Sequence, residues 1–146
     1  MNQTNSKPVV LLAEEDEAIA RARTAALRLN GLAVVWAPTG EVALSLAMGA
    51  PPDVLVTDWL LSGLDGVALC RLFRKDPKLA HVPIILALPS SLAWPAAPVT
   101  AAETIYLTKP VSDSVLCATI FSLLPGAPAR ASSYSQRPMK GAGNEN

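Results

Sequence analysis

The sequence is short of the residues on which metal centres and disulfide frameworks depend. Its 146 residues include two cysteines and one histidine, and Cys70 and Cys117 lie far apart with no CxxC spacing. This pattern gives no support to a zinc site. A chain of this length can bury a core of its own, so disulfide bonds are not needed to hold it together.

Net charge and long apolar runs are also lacking. Twelve basic residues balance twelve acidic ones, and no uninterrupted apolar run approaches the ~20 residues of a membrane-spanning helix. The segment from Pro125 carries three basic residues against one acidic residue, which makes it +2 and the remainder −2. Neither value resembles the strongly basic surface that binds nucleic acid. We therefore expect a globular protein that binds neither nucleic acid nor membrane.

The two ends of the sequence differ from its middle. The first residues, MNQTNSKP, lack the apolar stretch of a secretory signal, so we expect a cytoplasmic protein with reduced thiols. Residues 125–146 are rich in Ala, Ser, Pro, Gly and Asn without periodicity, which predicts a flexible tail or linker. Residues 1–6 are expected to be disordered, and residues 7–124 to form one domain.

The middle of the chain contains five short apolar runs rich in β-branched residues. Their starts lie some 20 to 30 residues apart, which leaves room for a helix in each gap. Runs that are continuously apolar, rather than alternating, are typical of strands covered on both faces. The predicted strands are Val9 to Ala13, Ala33 to Ala37, Val54 to Thr57, Pro83 to Leu88 and Thr104 to Thr108.

The gaps between these runs carry helix signals. In the first gap a predicted buried face recurs at helical spacing, and Asn30-Gly31 predicts its end. Thr39 and Ser112 are predicted to cap the second and the last helix. The face predicted for the first helix consists of Ile19, Ala22, Ala26 and Leu29.

The fourth gap differs from the others. Residues 90–102 contain Pro95 and Pro98, and an interior proline removes a backbone donor, so an irregular segment is expected there.

The whole pattern predicts an α/β fold, a three-layer α/β/α sandwich with a five-stranded parallel sheet. We expect the flavodoxin-like strand order 2-1-3-4-5.

Charged residues follow three of the predicted strands. Glu14 to Glu17 come after the first strand, Asp58 after the third and Lys109 after the fifth. The carboxyl ends of parallel strands meet at one edge of the sheet, so these groups are expected to converge. Converging carboxylates need a cation, and Mg²⁺ prefers oxygen ligands. The additional lysine would hold an anion, so the spacing indicates phosphoryl transfer to a carboxylate.

Four ordered segments resemble the receiver domains of bacterial two-component response regulators, of which the chemotaxis regulator is the simplest type. The resemblance covers roughly Lys7 to Leu124. It rests on the acidic segment after the first strand, a segment around Asp58, the fourth strand and a lysine turn. As they stand here, these segments are VVLLAEEDE, DVLVTDWLLSGLDG, VPIILALP and YLTKP.

The resemblance implies a set of roles. Asp58 would accept a phosphoryl group from a histidine kinase or a phosphotransfer protein, and Lys109 would bind a phosphoryl oxygen. Glu15 and Asp16 would match the acidic pair that holds Mg²⁺, Asp58 would bind the same ion, and Leu60 would contribute its backbone carbonyl. The implied function is a single-domain response regulator that signals to an unknown protein partner. It would be no enzyme beyond hydrolysis of its own aspartyl phosphate.

The sequence departs from the family pattern in three respects. Glu15 is one methylene longer than the usual aspartate. Leu88 stands where the family has a threonine or serine that binds the phosphoryl group, although Tyr106 matches the aromatic position that responds to it. The fourth gap carries prolines, as noted above. The residues thus leave open a second reading, a receiver-like interaction module that signals without phosphorylation.

A third interpretation of the same architecture is a flavodoxin-like enzyme or cofactor carrier. It would need a phosphate-binding loop after the first strand, where the run from Glu14 to Glu17 would repel a flavin phosphate. A phosphatase with an acceptor aspartate is disfavoured as well, because Leu60 stands where a second acid would be needed.

Overall fold

The computed structural model describes residues 6–91 and 104–126. Within them five strands and four helices alternate along most of the chain. The strands are β1 (Val9–Ala13), β2 (Ala33–Ala37), β3 (Val54–Asp58), β4 (Ile84–Leu88) and β5 (Thr104–Thr108). The helices are α1 (Glu17–Leu29), α2 (Gly40–Gly49), α3 (Gly66–Lys75) and α4 (Asp113–Leu123).

The strands form one parallel sheet of order β2-β1-β3-β4-β5, which confirms the predicted topology. Strand β3 runs one residue further than predicted and includes Asp58. Strand β4 begins at Ile84 rather than Pro83, because proline has no N–H to give to the ladder. All five residues of β3 and of β4 are buried, as the continuously apolar runs predicted.

Helices pack on both faces of the sheet, so the predicted three-layer sandwich is confirmed. On one face α2 and α3 contribute Ala43, Ala47, Leu69 and Phe73 to a core cluster with strand residues such as Leu55. On the other face α1 and α4 contribute Ala20, Leu27, Leu116 and Ile120, which pack with strand residues such as Val54. Each face of the sheet therefore has a separate apolar layer.

Both cysteines belong to the apolar core of the sandwich. Cys70 and Cys117 are buried and free. Burial raises the pKa of the Cys70 thiol to about 12, and burial also raises the pKa of Cys117. Both thiols therefore stay protonated near neutral pH, and neither is a nucleophile or a metal ligand in this state.

Local capping signals fix where the helices begin. Thr39 and Ser112 accept hydrogen bonds from the N–H groups of Val42 and Val115, each at 3.1 Å, which confirms the two predicted caps. The predicted end of α1 is also confirmed, since the helix stops at Asn30 and Gly31 takes a φ of 90°. A left-handed residue in this place is typical of a helix terminus.

The buried face of α1 differs from the predicted one. Ile19 is 44% exposed and Leu29 is 88% exposed, whereas Ala20 and Leu27 are buried. Arg23 occupies the face toward α4, where its guanidinium donates to the carbonyl of Val111 at 2.8 Å. Arg23 is thus partly buried, although the predicted apolar face did not include it.

Several predictions from the sequence lie outside the described residues. These are the irregular segment with Pro95 and Pro98, the N-terminal residues 1–5 and the tail from residue 127. The part of the chain from β1 to α4 is described apart from residues 92–103. Among the helices described, none is long and apolar enough to cross a membrane.

Candidate functional site

An ion pair joins the ends of two strands at the carboxyl edge of the sheet. Asp58 is the last residue of β3 and is only 8% exposed. The Nζ atom of Lys109, directly after β5, lies 2.6 Å from its Oδ1 atom. The backbone N–H of Lys109 donates to the carbonyl of Leu88 at 2.8 Å, and the Lys109–Pro110 peptide is cis. The sheet therefore brings together the two predicted phosphoryl-binding residues.

Glu14 is the acidic residue that the strand register brings beside Asp58. It follows Ala13, which pairs with Thr57, so Glu14 and Asp58 end neighbouring strands. Its side chain is buried, at 9% exposure. Burial raises the pKa of the Glu14 carboxyl, the N–H of Asp16 lowers it, and the charge of Asp58 raises it further. The carboxylates of Glu14 and Asp58 therefore repel each other across this edge.

Glu15 and Asp16, the predicted metal pair, are turned to other partners. Glu15 accepts hydrogen bonds from the backbone N–H of Ser62 at 2.8 Å and from its hydroxyl at 3.3 Å. Asp16 is the N-cap of α1, where its Oδ1 atom accepts from the N–H of Ile19 at 3.1 Å. The structure thus uses Asp16 to begin a helix, and Glu14 takes the position next to Asp58.

The loop of residues 59–65, between β3 and α3, carries the remaining candidate ligand. The side chain of Leu60 is 64% exposed, so this residue is not part of the core. The loop is closed by a bond from the N–H of Gly66 to the carbonyl of Trp59 at 3.0 Å. Glu41 of α2 accepts from the N–H of Leu64 at 3.0 Å. Two glutamates from different segments, Glu15 and Glu41, therefore hold this loop.

The two predicted switch positions, Leu88 and Tyr106, lie on neighbouring strands. Leu88 is fully buried at the end of β4 and has no group that could donate to a phosphoryl oxygen. Tyr106 is partly buried and packs against the core cluster of α2 and α3. It pairs with Leu86 in the β4–β5 ladder. The aromatic residue is thus in place while the hydroxyl that would act on it is missing.

The acidic residues at this edge of the sheet have the chemistry of a Mg²⁺ site. In the described part of the chain, no three acidic, histidine or cysteine side chains are arranged to hold a metal ion. Asp58 is engaged by Lys109, and Glu15 by Ser62. Carboxylates and a backbone carbonyl are the ligands that Mg²⁺ prefers. The donor set therefore fits this ion, which usually binds one or two carboxylates and keeps several waters.

Glu14 is the site residue that sequence reasoning left out of the metal pair. Two adjacent pairs, Glu14 with Glu15 and Glu15 with Asp16, are equally acidic, and residue types alone do not separate them. The position relative to the strand end separates the two pairs, because the first residue after β1 lies next to the end of β3. A capping signal was also available, since Asp16 comes directly before the first helical residue, Glu17.

The buried carboxyl of Glu14 gives the protein a predictable pH dependence. A carboxyl whose folded pKa is raised above 4.5 binds its proton more tightly in the folded state. Its contribution to stability is therefore present at low pH and is lost as the pH rises through the folded pKa. We expect Glu14→Gln to increase the free energy of unfolding at neutral pH and to flatten this dependence, measured by urea unfolding in metal-free buffer.

Glu17→Gln is the matched control for this prediction. Glu17 lies three residues further along, is well exposed and pairs with Arg21 at 3.1 Å. Exposed pairs of this kind contribute about 0.3 to 0.5 kcal/mol. A Glu14→Gln protein that is less stable than the wild type at neutral pH would show that the charge of Glu14 does not lower the free energy of unfolding.

A separate cavity of about 780 Å³ lies away from this edge of the sheet. Its lining includes Val9 at the start of β1, Asp53 just before β3, and Phe121 and Leu124 at the end of α4. Asp53 accepts a hydrogen bond from the N–H of Val9 at 2.7 Å and is thereby satisfied. The convergent charged groups are at the opposite edge, so the candidate site is there and not in the larger cavity.

Comparison with known proteins agrees with this geometry. Residues 10–121 match the family model described as the response regulator receiver domain. The chain therefore belongs to the receiver-domain family of two-component response regulators, whose members are signalling modules.

Individual relatives support the same assignment. The response regulator PleD of Caulobacter vibrioides is 31% identical over 117 residues, 78% of this chain and 25% of that protein. The transcriptional regulatory protein CseB of Streptomyces coelicolor is 35% identical over 116 residues, 79% of this chain and 48% of that protein. The chain thus spans a quarter to about half the length of these curated relatives.

Solved structures of receivers have the same fold. The crystal structure of a response regulator from Chloroflexus aurantiacus superimposes with a TM-score of 0.72 at 28% sequence identity. The match covers 80% of this chain and 97% of that one. The sheet and helices of this chain therefore correspond to nearly all of that solved chain.

Proposed function

We propose that this domain accepts a phosphoryl group on Asp58 and passes the signal on by protein contact. The observation that carries the proposal is the ion pair between Asp58 and Lys109 at 2.6 Å, on the edge where β3 and β5 end. An acceptor carboxylate and a cation that can hold a phosphoryl oxygen are two of the groups that such a transfer uses. The family membership supports the same chemistry.

The transfer proceeds by in-line attack. A carboxylate oxygen of Asp58 forms a bond to phosphorus while the bond from phosphorus to the donor's imidazole nitrogen breaks, and that nitrogen keeps the electron pair and is protonated. Lys109 leaves the carboxylate to hold a phosphoryl oxygen, which its flexible stem and its 40% exposed side chain permit. Attack of water on phosphorus would break the bond to the Asp58 oxygen, release inorganic phosphate and return Asp58 to its carboxylate form.

We assign the metal site to Glu14, Glu15, Asp58 and the backbone carbonyl of Leu60, with Glu14 in place of Asp16. When bound, Mg²⁺ would neutralise the repulsion among these carboxylates and the charge of the incoming phosphoryl group. Glu14 supports this assignment because it is buried beside Asp58, whereas Asp16 is committed to the N-terminus of α1.

The donor is a histidine kinase or a phosphotransfer protein, as the receiver family implies. The downstream partner is a protein that distinguishes the phosphorylated from the free form. Cys70 and Cys117 are both free, which agrees with a chain that works in the reducing cytoplasm.

Labelling with a small phosphate donor tests the proposal. Purified protein is incubated with acetyl phosphate and MgCl₂, and the intact mass is recorded with and without EDTA. We expect a mass increase of one phosphoryl group that needs the metal and maps to the peptide carrying Asp58. A protein that gains no mass under any of these conditions is not a phosphoryl acceptor.

Such a negative result would favour an interaction module that signals without phosphorylation. The specific observation behind this alternative is Leu88, which is fully buried where the family places a hydroxyl. A site without that hydroxyl lacks the hydrogen bond that would couple the phosphoryl group to Tyr106. The labelling experiment separates the two functions, because only the first requires uptake of phosphate.

Leu88→Thr is expected to restore the coupling to Tyr106. The hydroxyl can donate to a phosphoryl oxygen, and the loss of buried apolar volume at this position should cost about 2 kcal/mol. We expect phosphorylation of the variant to change the near-ultraviolet spectrum of tyrosine more than phosphorylation of the wild type does. Leu88→Val, which shortens the side chain without adding a hydroxyl, is the control. Equal spectra for the two variants would refute the role given to the hydroxyl.

A further inference from the structure

The contact between Glu15 and Ser62 engages both oxygens of a carboxylate that is assigned to the metal. Oε1 accepts from the backbone N–H of Ser62 at 2.8 Å, and Oε2 faces its hydroxyl at 3.3 Å. The two residues belong to different connections, one after β1 and the other in the loop of residues 59–65. The contact therefore joins the segment between β1 and α1 to the loop that follows Asp58.

This placement of Glu15 directs both of its carboxylate oxygens toward the loop of residues 59–65. A cation at either oxygen would have to share that oxygen with a hydrogen-bond donor of Ser62. Glu14 is already buried beside Asp58, and Asp16 is held by the N–H of Ile19. Of the carboxylates assigned to the metal, Glu15 is thus the one that this loop holds.

We propose that Ser62 and a divalent cation compete for the carboxylate of Glu15. This inference rests on the proposed function, because it takes Glu15 as a ligand of Mg²⁺. Binding of the cation draws Glu15 away from Ser62 and leaves the serine N–H to water, which reaches this exposed contact. The cation thereby releases one of the two glutamates that hold the loop, while Glu41 keeps its bond to Leu64.

The competition has two consequences for the receiver. Part of the free energy of metal binding is used to break the contact with Ser62, so Ser62 lowers the affinity for Mg²⁺. The loop of residues 59–65, which carries Leu60, becomes freer when the cation is bound. Ser62 therefore acts as a positioning residue through Glu15 and does not itself touch the reacting atoms.

Amide exchange tests the release directly, by nuclear magnetic resonance on the full chain with MgCl₂ as the only added ligand. We expect exchange of the Ser62 amide to become several-fold faster at saturating Mg²⁺. The Leu64 amide is an internal control, since its acceptor Glu41 is not assigned to the metal, and its exchange should not change. Unchanged exchange at Ser62 under saturating Mg²⁺ would overturn the proposal.

Calorimetric titration with MgCl₂ tests the cost to affinity. Ser62→Ala removes the hydroxyl and keeps the N–H, and we expect about twofold tighter binding; Ser62→Pro removes both donors, and we expect about tenfold tighter binding. If the proline variant does not fold, the alanine variant and the amide exchange still test whether Ser62 competes with Mg²⁺. Equal dissociation constants for wild type and every folded Ser62 variant would contradict the competition.

A double-mutant cycle separates an effect through Glu15 from an indirect one. Glu15→Asp shortens the side chain by one methylene, so that the carboxylate no longer spans the distance to Ser62. In this background Ser62→Ala should leave the Mg²⁺ affinity unchanged, and the two substitutions should be non-additive. Full additivity would refute a route through Glu15.

Failure of this inference differs from failure of the proposed function. If metal-dependent labelling of Asp58 occurs but Ser62 has no effect on affinity or exchange, only the competition is refuted. If neither the wild type nor any variant binds Mg²⁺, the proposed competition and the proposed metal site are both refuted. If Mg²⁺ binds and releases Ser62 without any labelling, the competition stands and phosphoryl acceptance falls.

Discussion

Asp58→Asn is expected to abolish phosphoryl uptake, with a loss of at least about a hundredfold in labelling by acetyl phosphate. The amide oxygen of asparagine is a far weaker nucleophile than a carboxylate, and an amide cannot form a stable acyl phosphate. The substitution also removes the negative partner of Lys109 and one of the charges that act on Glu14. The measurement is the intact mass after incubation with the donor and MgCl₂.

Loss of labelling in this variant should not result from unfolding. Lys109 is 40% exposed and can be solvated without its partner, and repulsion between Asp58 and Glu14 is relieved. Asp53→Asn is the matched control, because Asp53 lies just before the same strand at its other end and its amide can still accept from Val9. Equal labelling of wild type and Asp58→Asn would place the phosphate on another residue.

The sheet was predictable because its signals are local and strong. Five continuously apolar runs at regular spacing predict buried parallel strands, and the structure differs from them by a single residue at Asp58 and at Pro83. Thr39 and Ser112 predict helix starts for an equally local reason, since their hydroxyls satisfy exposed N–H groups. Order and topology then follow from the few arrangements that right-handed crossovers allow.

The helix surface was harder to predict, because burial depends on what packs against it. Counting apolar residues places Ile19 and Leu29 inside, yet both are exposed. Arg23 lies toward α4 because Val111 presents a carbonyl and Asp113 a carboxylate within reach, at 2.8 Å and 3.6 Å. These partners are some ninety residues away in sequence, and no local pattern in α1 contains them.

The candidate site was predictable in its residue types and less so in its partners. The sequence places Asp58 and Lys109 at strand ends, and the structure brings them together. It does not reveal that Ser62 holds Glu15, because that contact depends on where hydrogen-bond donors lie in space. Four acidic residues in a row offer several similar pairs, and the capping position of Asp16 together with the register of β1 against β3 distinguishes them.

Gly66→Ala is expected to lower the free energy of unfolding by about 2 to 3 kcal/mol, as overpacking against backbone does. A β-carbon at this position would collide with the backbone carbonyl oxygen of Asp58 and would lie 3.1 Å from the Cδ1 atom of Leu86. The leucine side chain can rotate, but the carbonyl belongs to the acceptor residue at the end of β3. Relief of the collision must therefore displace Asp58 or the start of α3.

The displacement should also slow the labelling of Asp58, because the carboxylate must meet Lys109 and the phosphoryl group in line. Gly49→Ala is the matched control: no atom lies within 4 Å of the added β-carbon, and alanine in a helix is favoured over glycine by up to about 1 kcal/mol. Urea unfolding and the initial rate of labelling are measured for both variants. A Gly66→Ala protein as stable and as quickly labelled as Gly49→Ala would show that the close approach of α3 to Asp58 does not position the acceptor.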